Sequence, residues 1–431
     1  MWTERGLPPG WTRQTVAELG SHSPMTVQTG PFGAQLHSED YVDEGIPFIL
    51  IRNLQGNSLD TSDMPHITYE DARRLSLYRL MPGDVVFSRV GRVGSCFLVE
   101  EKQAGWVISG QMLRIRLPED AINHRYLIHI LRSKPVQDRI TGASVGSTRQ
   151  SINTRILESL SVITPPLPEQ RRIAEVLDAA DEAIRQTERV IAKLKAVKAG
   201  LLHDLLTRGL HEHGHLRDPH AHPEQFTDSP LGRTPREWEV RPLADLADVD
   251  RGKFTHRPRN DPAFYGGEYP FIQTGDVTGA EGGVVETYSQ TLNERGIAIS
   301  REFPAGTIAI TIAANIADTA ILGRPMYFPD SVVGAVVRVP NNVRYVELCI
   351  RRAKSWLDAQ APQSAQKNIN LETLRPLLVP VPMPEEQRQI AEVYAAHDTR
   401  IRAEEVTLAK LRQVKRGLMH DLLTGKVGVK V

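Results

Sequence analysis

The sequence predicts an α+β chain: two mixed α/β domains in tandem, each followed by one long helix, with the two helices packing along each other. Three observations carry this. The stretch PEQRRIAEVLDAADEAIRQTERVIAKLKAVKAGLLHDLLTRG from Pro168 returns as PEEQRQIAEVYAAHDTRIRAEEVTLAKLRQVKRGLMHDLLTGK from Pro384. Gln170 aligns with Gln387, Ile173 with Ile390 and His203-Asp204 with His420-Asp421, all at a constant offset of 217 residues, so the chain is internally duplicated. Ahead of each copy, short apolar runs alternate with turns, which is strand patterning.

Each copy reads as one helix. Ile173, Leu177, Ala180, Ile184, Thr187, Ile191, Leu194, Leu201 and Leu205 step by threes and fours, with Lys198 interrupting. Ile390, Tyr394, Ile401, Leu408, Leu411, Leu418 and Leu422 keep the same rhythm. This narrow, near-heptad seam belongs to a helix lying along another helix. Pro168 and Pro384 suit a first turn, and Gly209 and Gly425 fall where a helix closes. Such a rod is about 60 Å long at 1.5 Å per residue, and the other copy is its natural partner. Thr187, His397 and Glu404 break the seam as wet-edge or register-fixing positions. Lys193, Lys195, Lys198, Lys410, Arg412, Lys415 and Arg416 load the later turns, which suits the negative end of a helix dipole.

The first domain spans residues 1–164, with strands read at Ile46–Ile51, Asp84–Ser88, Ser95–Val99, Trp106–Ser109 and Met112–Leu117 and helices at Asn123–Arg132 and about Pro135–Ile140. Its helix occupies 165–210. A His- and Pro-rich connector, 211–237, leads to the second domain at 238–380, the second helix at 381–425 and a tail at 426–431. Trp238 answers Trp11, Tyr269–Ile272 answers Ile46–Ile49, and Gly306–Ile312 answers Gly83–Arg89. Lys367–Asn370 answers Gln150–Asn153 at the 217 offset, whereas TGPFG at Thr29–Gly33 shows no clear counterpart, RGKFTH standing in its place.

Lys plus Arg equals Asp plus Glu at 52 each, so any nucleic-acid surface must be local. Cys96 and Cys349 lack metal-ligand spacing and fit a reducing cytosol. The charged N-terminus is no signal peptide, and no run of 18 apolar residues spans a membrane. His211, His213, His215, His220 and His222 read as an exposed linker rather than a zinc site, with no Cys or second cluster to complete one.

No catalytic constellation survives inspection. There is no phosphate-binding Gly-rich loop, no G-x-G-x-x-G, no G-x-S-x-G and no H-E-x-x-H. Asp261-Pro262-Ala263-Phe264 resembles an amino-methyltransferase D-P-P-F loop but lacks its second proline and any upstream cofactor motif, and reads as a turn. His203-Asp204 and His420-Asp421 sit between core leucines and read as structural. The expectation is therefore a chain with no catalytic residue, no metal and no cofactor of its own.

A binding apparatus remains. Arg89 and Arg92 sit with glycines in SRVGRVG after a strand, and Arg149, Gln150 and Asn153 follow a GASVGS segment. The second half offers Arg251, Lys253, Arg257 and Arg259, then Gln366, Lys367, Asn368 and Asn370. Arginine reads guanine edges or clamps phosphate, and Gln and Asn read adenine. Their paired placement points to DNA.

The strings TGPFGAQLHSEDY, PGDVVFSRVGRVG, PPLPEQRRIAEVLDAAD, LLHDLLTRG, SAQKNINLETL, VPMPEEQRQIAEV and GLMHDLLTGKV closely resemble the specificity subunit of type I restriction–modification systems, over essentially the full length. The resemblance implies two target recognition domains, each reading one half of a bipartite double-stranded DNA target. It also implies an antiparallel coiled coil of the two helices, docking of two modification (methyltransferase) subunits, and restriction subunits joining through them. S-adenosylmethionine, ATP and Mg are then expected only on those partners. The docking helices carry Gln170, Ile173, Leu201, Leu205, Gln387, Ile390, Leu418 and Leu422 as their expected marks. A 60 Å rod is under two turns of DNA at about 34–36 Å each, so it can set a spacer between half-sites. An orphan DNA-binding protein of the same build, a self-sufficient enzyme and a plain coiled-coil scaffold are the alternatives.

Overall fold

The computed structural model describes residues 6–21, 25–31, 35–143, 151–211, 214–313, 315–361 and 368–430. The chain forms two compact units, Met1–Arg189 with Val406–Val431, and Val190–Glu405.

In the first unit a four-stranded antiparallel sheet runs Val27–Thr29, Met112–Ile115, Val85–Ser88, Cys96–Leu98. Val85–Ser88 and Met112–Ile115 are buried along their whole length, as continuous apolar runs require when both faces are covered. The exception is Arg114, whose guanidinium donates to the backbone carbonyl of Leu77 at 3.2 Å, and burial pulls its pKa down to about 10. A smaller sheet orders His66–Ile67, Ile46–Ile49, Val107–Ile108, antiparallel then parallel. Thr12–Thr15 pairs with Ser161–Thr164, bringing the start of the globule to its end, where the helix begins.

The second unit repeats this plan. Its main sheet runs Ala247–Arg251, Val332–Val337, Ile308–Thr311, Thr319–Leu322, with Val284–Val285 added in parallel at the far edge. Tyr265–Phe271 is antiparallel to Gln290–Leu292 and parallel to Met326–Tyr327, and Glu239–Pro242 pairs with Leu378–Val381. The topology also supplies the counterpart that the sequence hid: Thr29-Gly30 and Arg251-Gly252 end equivalent strands. The Gly30 amide donates to Met112 O at 3.1 Å and that of Gly252 to Val332 O at 2.9 Å. A Cβ at either glycine would stand 2.2 Å from Ser109 O or 2.3 Å from Pro329 O. What the two places share is a backbone need for glycine, while the side chains beside it differ.

The helices Leu167–Leu205 and Pro384–Leu423 are continuous. The second closes as expected, Gly425 taking a left-handed φ of +69° two residues past Leu423, whereas the first stops at Leu205 and Gly209, at +65°, follows one turn further on. Each unit combines its globule with the start of the helix that follows it and the end of the other helix. In the first, Ile173 and Leu177 share a core with Leu422, Leu423 and Trp11. In the second, Ile390 and Tyr394 share one with Leu205, Leu206 and Trp238. Within each unit the helix segments are antiparallel: Asp181 meets Lys415 while Glu188 meets Arg412 at 2.7 Å, and Lys195 meets Glu405 at 2.7 Å while Lys198 meets Asp398. The late-helix cations Lys195, Lys198, Arg412 and Lys415 are therefore cross-helix ion-pair partners, a role beyond the dipole.

Each helix start is stapled to its globule in the same way. Trp11 Nε1 donates to Glu169 at 3.0 Å, and Trp238 Nε1 to Glu386 at 3.0 Å. The Gln170 amide donates to Pro165 O and accepts from the Asn123 amide, both at 2.8 Å. Gln387 repeats this with Pro382 O at 3.0 Å and the Asn342 amide at 2.9 Å. Part of the stretch read as a bare connector is ordered, Phe226–Ser229 and Gly232–Pro235 forming a hairpin. Its turn is Pro230-Leu231, with Gly232 at φ +90°.

Candidate nucleic-acid interface

At one end of each main sheet, four segments distant in sequence converge. In the first unit these are the ends around Gly30, Arg89 and Gln111 and the segment from Ser151. Arg89 N–H donates to Gln111 O at 2.9 Å, and the Ile152 amide donates to Arg89 O at 3.0 Å. Val90 forms an isolated bridge with Ser151. In the second unit Gly252, Ile312, Asp330 and Asn368 take these places, with the Ile369 amide donating to Ile312 O at 3.0 Å and Ala313 bridging Asn368.

Arg89, Arg92 and Asn153 of the first unit, and Arg251, Lys253, Arg257 and Asn370 of the second, thus belong to this one end. Arg149, Gln150, Gln366 and Lys367 lie outside the described residues, as do Phe32 and Gly33 of TGPFG. Arg92, Arg251 and Lys253 are exposed and make no ion pair among the described residues, while Arg89 is half-buried. Arg257 and Arg259 share the carboxylate of Asp330, at 3.4 and 2.6 Å, so their charge is already partly answered. Asn153 and Asn370 are helix caps: their side-chain oxygens accept from the Ile156 amide at 2.9 Å and the Thr373 amide at 3.0 Å. Their matching at the 217 offset follows from this capping role.

The residues expected to mark the docking helices turn mostly inward. Gln170 and Gln387 are 2% and 1% exposed, and Ile173, Leu205, Ile390 and Leu422 are buried, all within their own unit. Leu201 and Leu418 are partly buried against the same cores. The buried ones hold helix to globule, while Leu201 and Leu418 keep part of their surface open. The sequence repeated them because the same staple occurs twice.

Among the described residues no three His, Cys, Asp or Glu side chains gather where they could hold a metal ion, and no helix is long and apolar enough to cross a membrane. Cys96 and Cys349 are free and buried, and burial pushes their thiols up to about 11 and about 12. Sequence reading missed the loop that leaves Ile308–Thr311. Its string IAANIAD is nearly apolar and gives no binding signal; only its equivalence to SRVGRVG marks it.

Two copies of one fold, each seated on long helices and each gathering polar loops at the same sheet end, define a duplicated recognition protein. The family model for the type I restriction modification DNA specificity domain matches residues 32–196 and 235–413. The chain belongs to that family and is a specificity subunit with two recognition domains. It is 25% identical over 398 residues, 90% of this chain and 88% of the relative, to a putative type I restriction enzyme MjaX specificity subunit from Methanocaldococcus jannaschii. Its fold is similar to the type I restriction–modification S subunit from M. genitalium, with a TM-score of 0.58 at 14% identity and 97% of both chains covered. A chain from a structural study of complex assembly in a type I R-M system gives 0.60 at 18% identity, covering 98% of this chain and 100% of that one.

Proposed function

We propose that the chain reads a bipartite double-stranded DNA target, one half-site per unit, and performs no catalysis itself. The observation that carries this is the convergence, in both units, of backbone-matched loops whose side chains differ: Arg89 and Arg92 stand where the second unit has Ile312 and Asn315, and Thr29 where it has Arg251. Matched placement suits two readers of one duplex, and differing side chains give two different half-sites. The paired helices set the unread spacer. They also dock two modification subunits, through which restriction subunits join. Docking falls on the outward helix faces, where Val197 and Val414, equivalent at the 217 offset, stay exposed. S-adenosylmethionine, ATP and Mg belong to those partners.

Co-purification with the modification subunit, followed by single-molecule mapping of methylation on random DNA, tests this. A bipartite methylated motif with a fixed spacer is the expected result. Stable complexes that methylate no motif, or a continuous motif, would overturn it.

A further inference from the structure

The hairpins that leave the central strands, Val85–Ser88 and Ile308–Thr311, occupy equivalent places yet present different side chains. In the first, Gly91 and Gly94 take φ of +73° and +87°, Ser88 Oγ donates to Val90 O at 2.6 Å, and the Ser95 amide donates to Arg92 O at 3.1 Å. In the second, the Thr311 hydroxyl donates to Asn315 O and accepts from the Asp318 amide at 3.0 Å, and the Ala317 amide donates to Thr311 O at 2.8 Å. Asp318 is tied down by Lys354 and by the Thr278 hydroxyl at 2.7 Å. Both turns are therefore fixed by their own bonds, which is what a reading side chain needs beneath it.

The first turn exposes Arg92, with no side-chain partner among the described residues. The second exposes Asn315, whose side chain makes, among the described residues, a single long hydrogen bond of 3.4 Å from Nδ2 to Thr278 Oγ1. A shared phosphate-gripping role would favour a cation at both places, whereas the second turn carries a neutral amide. Arg and Asn are, however, the two side chains best matched to single bases: Arg pairs with guanine O6 and N7, and Asn with adenine N6 and N7.

We infer that Arg92 and Asn315 are equivalent specificity-determining residues, one per half-site, Arg92 reading a guanine and Asn315 an adenine in the major groove. This rests on the DNA-reading function proposed above and names the residues that distinguish its two halves.

The test uses the full chain assembled with its modification subunits and a randomised target library, with methylation mapped for wild type, Arg92→Ala and Asn315→Ala. Each substitution is expected to relax one position of one half-site by on the order of ten- to a hundredfold, leaving the other half-site intact. The relaxed position should hold G in one half-site and A in the other. Arg92→Met and Asn315→Leu keep most of the side-chain bulk but lose every donor and acceptor, so they serve if an alanine variant fails to assemble, and the same position should relax. A uniform fall in methylation with both half-sites unchanged, or relaxation at a position holding another base, overturns this inference while leaving the bipartite function standing. Failure of wild type to give any bipartite motif strikes the function itself.

Discussion

Lys198 on the first long helix forms an ion pair with Asp398 on the second, both side chains more than two-thirds buried. The pair Lys415–Asp181 repeats it 217 residues along, with the helices exchanging donor and acceptor. Glu188–Arg412 and Glu405–Lys195 do the same one step further out. Each helix therefore carries its pairing acids ahead of its pairing bases, at positions that match when two such helix segments run antiparallel.

Lys198→Met should lower stability by about 1–2 kcal/mol, between the ranges for exposed and buried pairs, because Asp398, more than two-thirds buried, would keep only Arg402 of its two cation partners. The exchange of Lys198→Asp with Asp398→Lys should recover most of that loss. Thermal unfolding of the three proteins checks this, and a double variant no better than the single would show that the pair does not act as a unit.

The same pair gives a pH signature. Burial works to raise the Asp398 carboxyl, but the bond and charge of Lys198, with Arg402, outweigh it and hold it below its ordinary value. A depressed carboxylate contributes its stability above the unfolded pKa, about 3.9, and loses it as pH falls through the lower folded value. The stability gap between wild type and Lys198→Met should hold from pH 7 to 5 and shrink below about pH 4. A gap that closes between pH 7 and 5 would place the effect on another group.

Gln170→Leu should cost about 2–3 kcal/mol, since it strands the Asn123 amide and the Pro165 carbonyl in a buried site, and Gln387→Leu should do likewise in the second unit. Denaturant titration reads this directly. Unchanged stability with weakened binding of modification subunits would restore these glutamines to a docking role.

Gly30→Ala and Gly252→Ala should each destabilise by about 1–3 kcal/mol or more, because the added carbon meets backbone carbonyls that cannot rotate aside. Parallel melting of the two variants measures it, and a neutral result for both would mean that the strand ends shift freely.

Native protein at pH 8 should leave Cys96 and Cys349 unlabelled by iodoacetamide, with both reacting once denaturant exposes them, since buried thiols held near 11 and 12 present almost no thiolate. Rapid native labelling of either would place it at the surface.

Much of this was legible in the residues. A duplicated string at constant offset shows itself whatever it does, and Gly209 and Gly425 announce the helix ends because few other residues accept their φ. Strands such as Val85–Ser88 stood out as fully apolar runs. What stayed hidden depends on partners far away in sequence. Lys198 looks like an interruption until Asp398 is seen opposite it, and Gln170 looks like a repeated surface mark until Asn123 is seen above it. Asn315 sits in an apolar string and gains meaning only from its place in the sheet. Asn153 and Asn370 show in the sequence as readers, and only the structure shows their side-chain oxygens engaged in helix caps.

The indoles of Trp11 and Trp238 give the molecule two built-in optical probes. Each lies buried where a helix begins, its N–H held by a carboxylate of that helix. Loosening of either helix start from its globule admits water to that indole and shifts its emission to the red. With Trp2, Trp106 and Trp356 replaced by phenylalanine together with one of this pair, fluorescence would follow the remaining indole alone, resolving whether the two helix starts loosen together or one at a time.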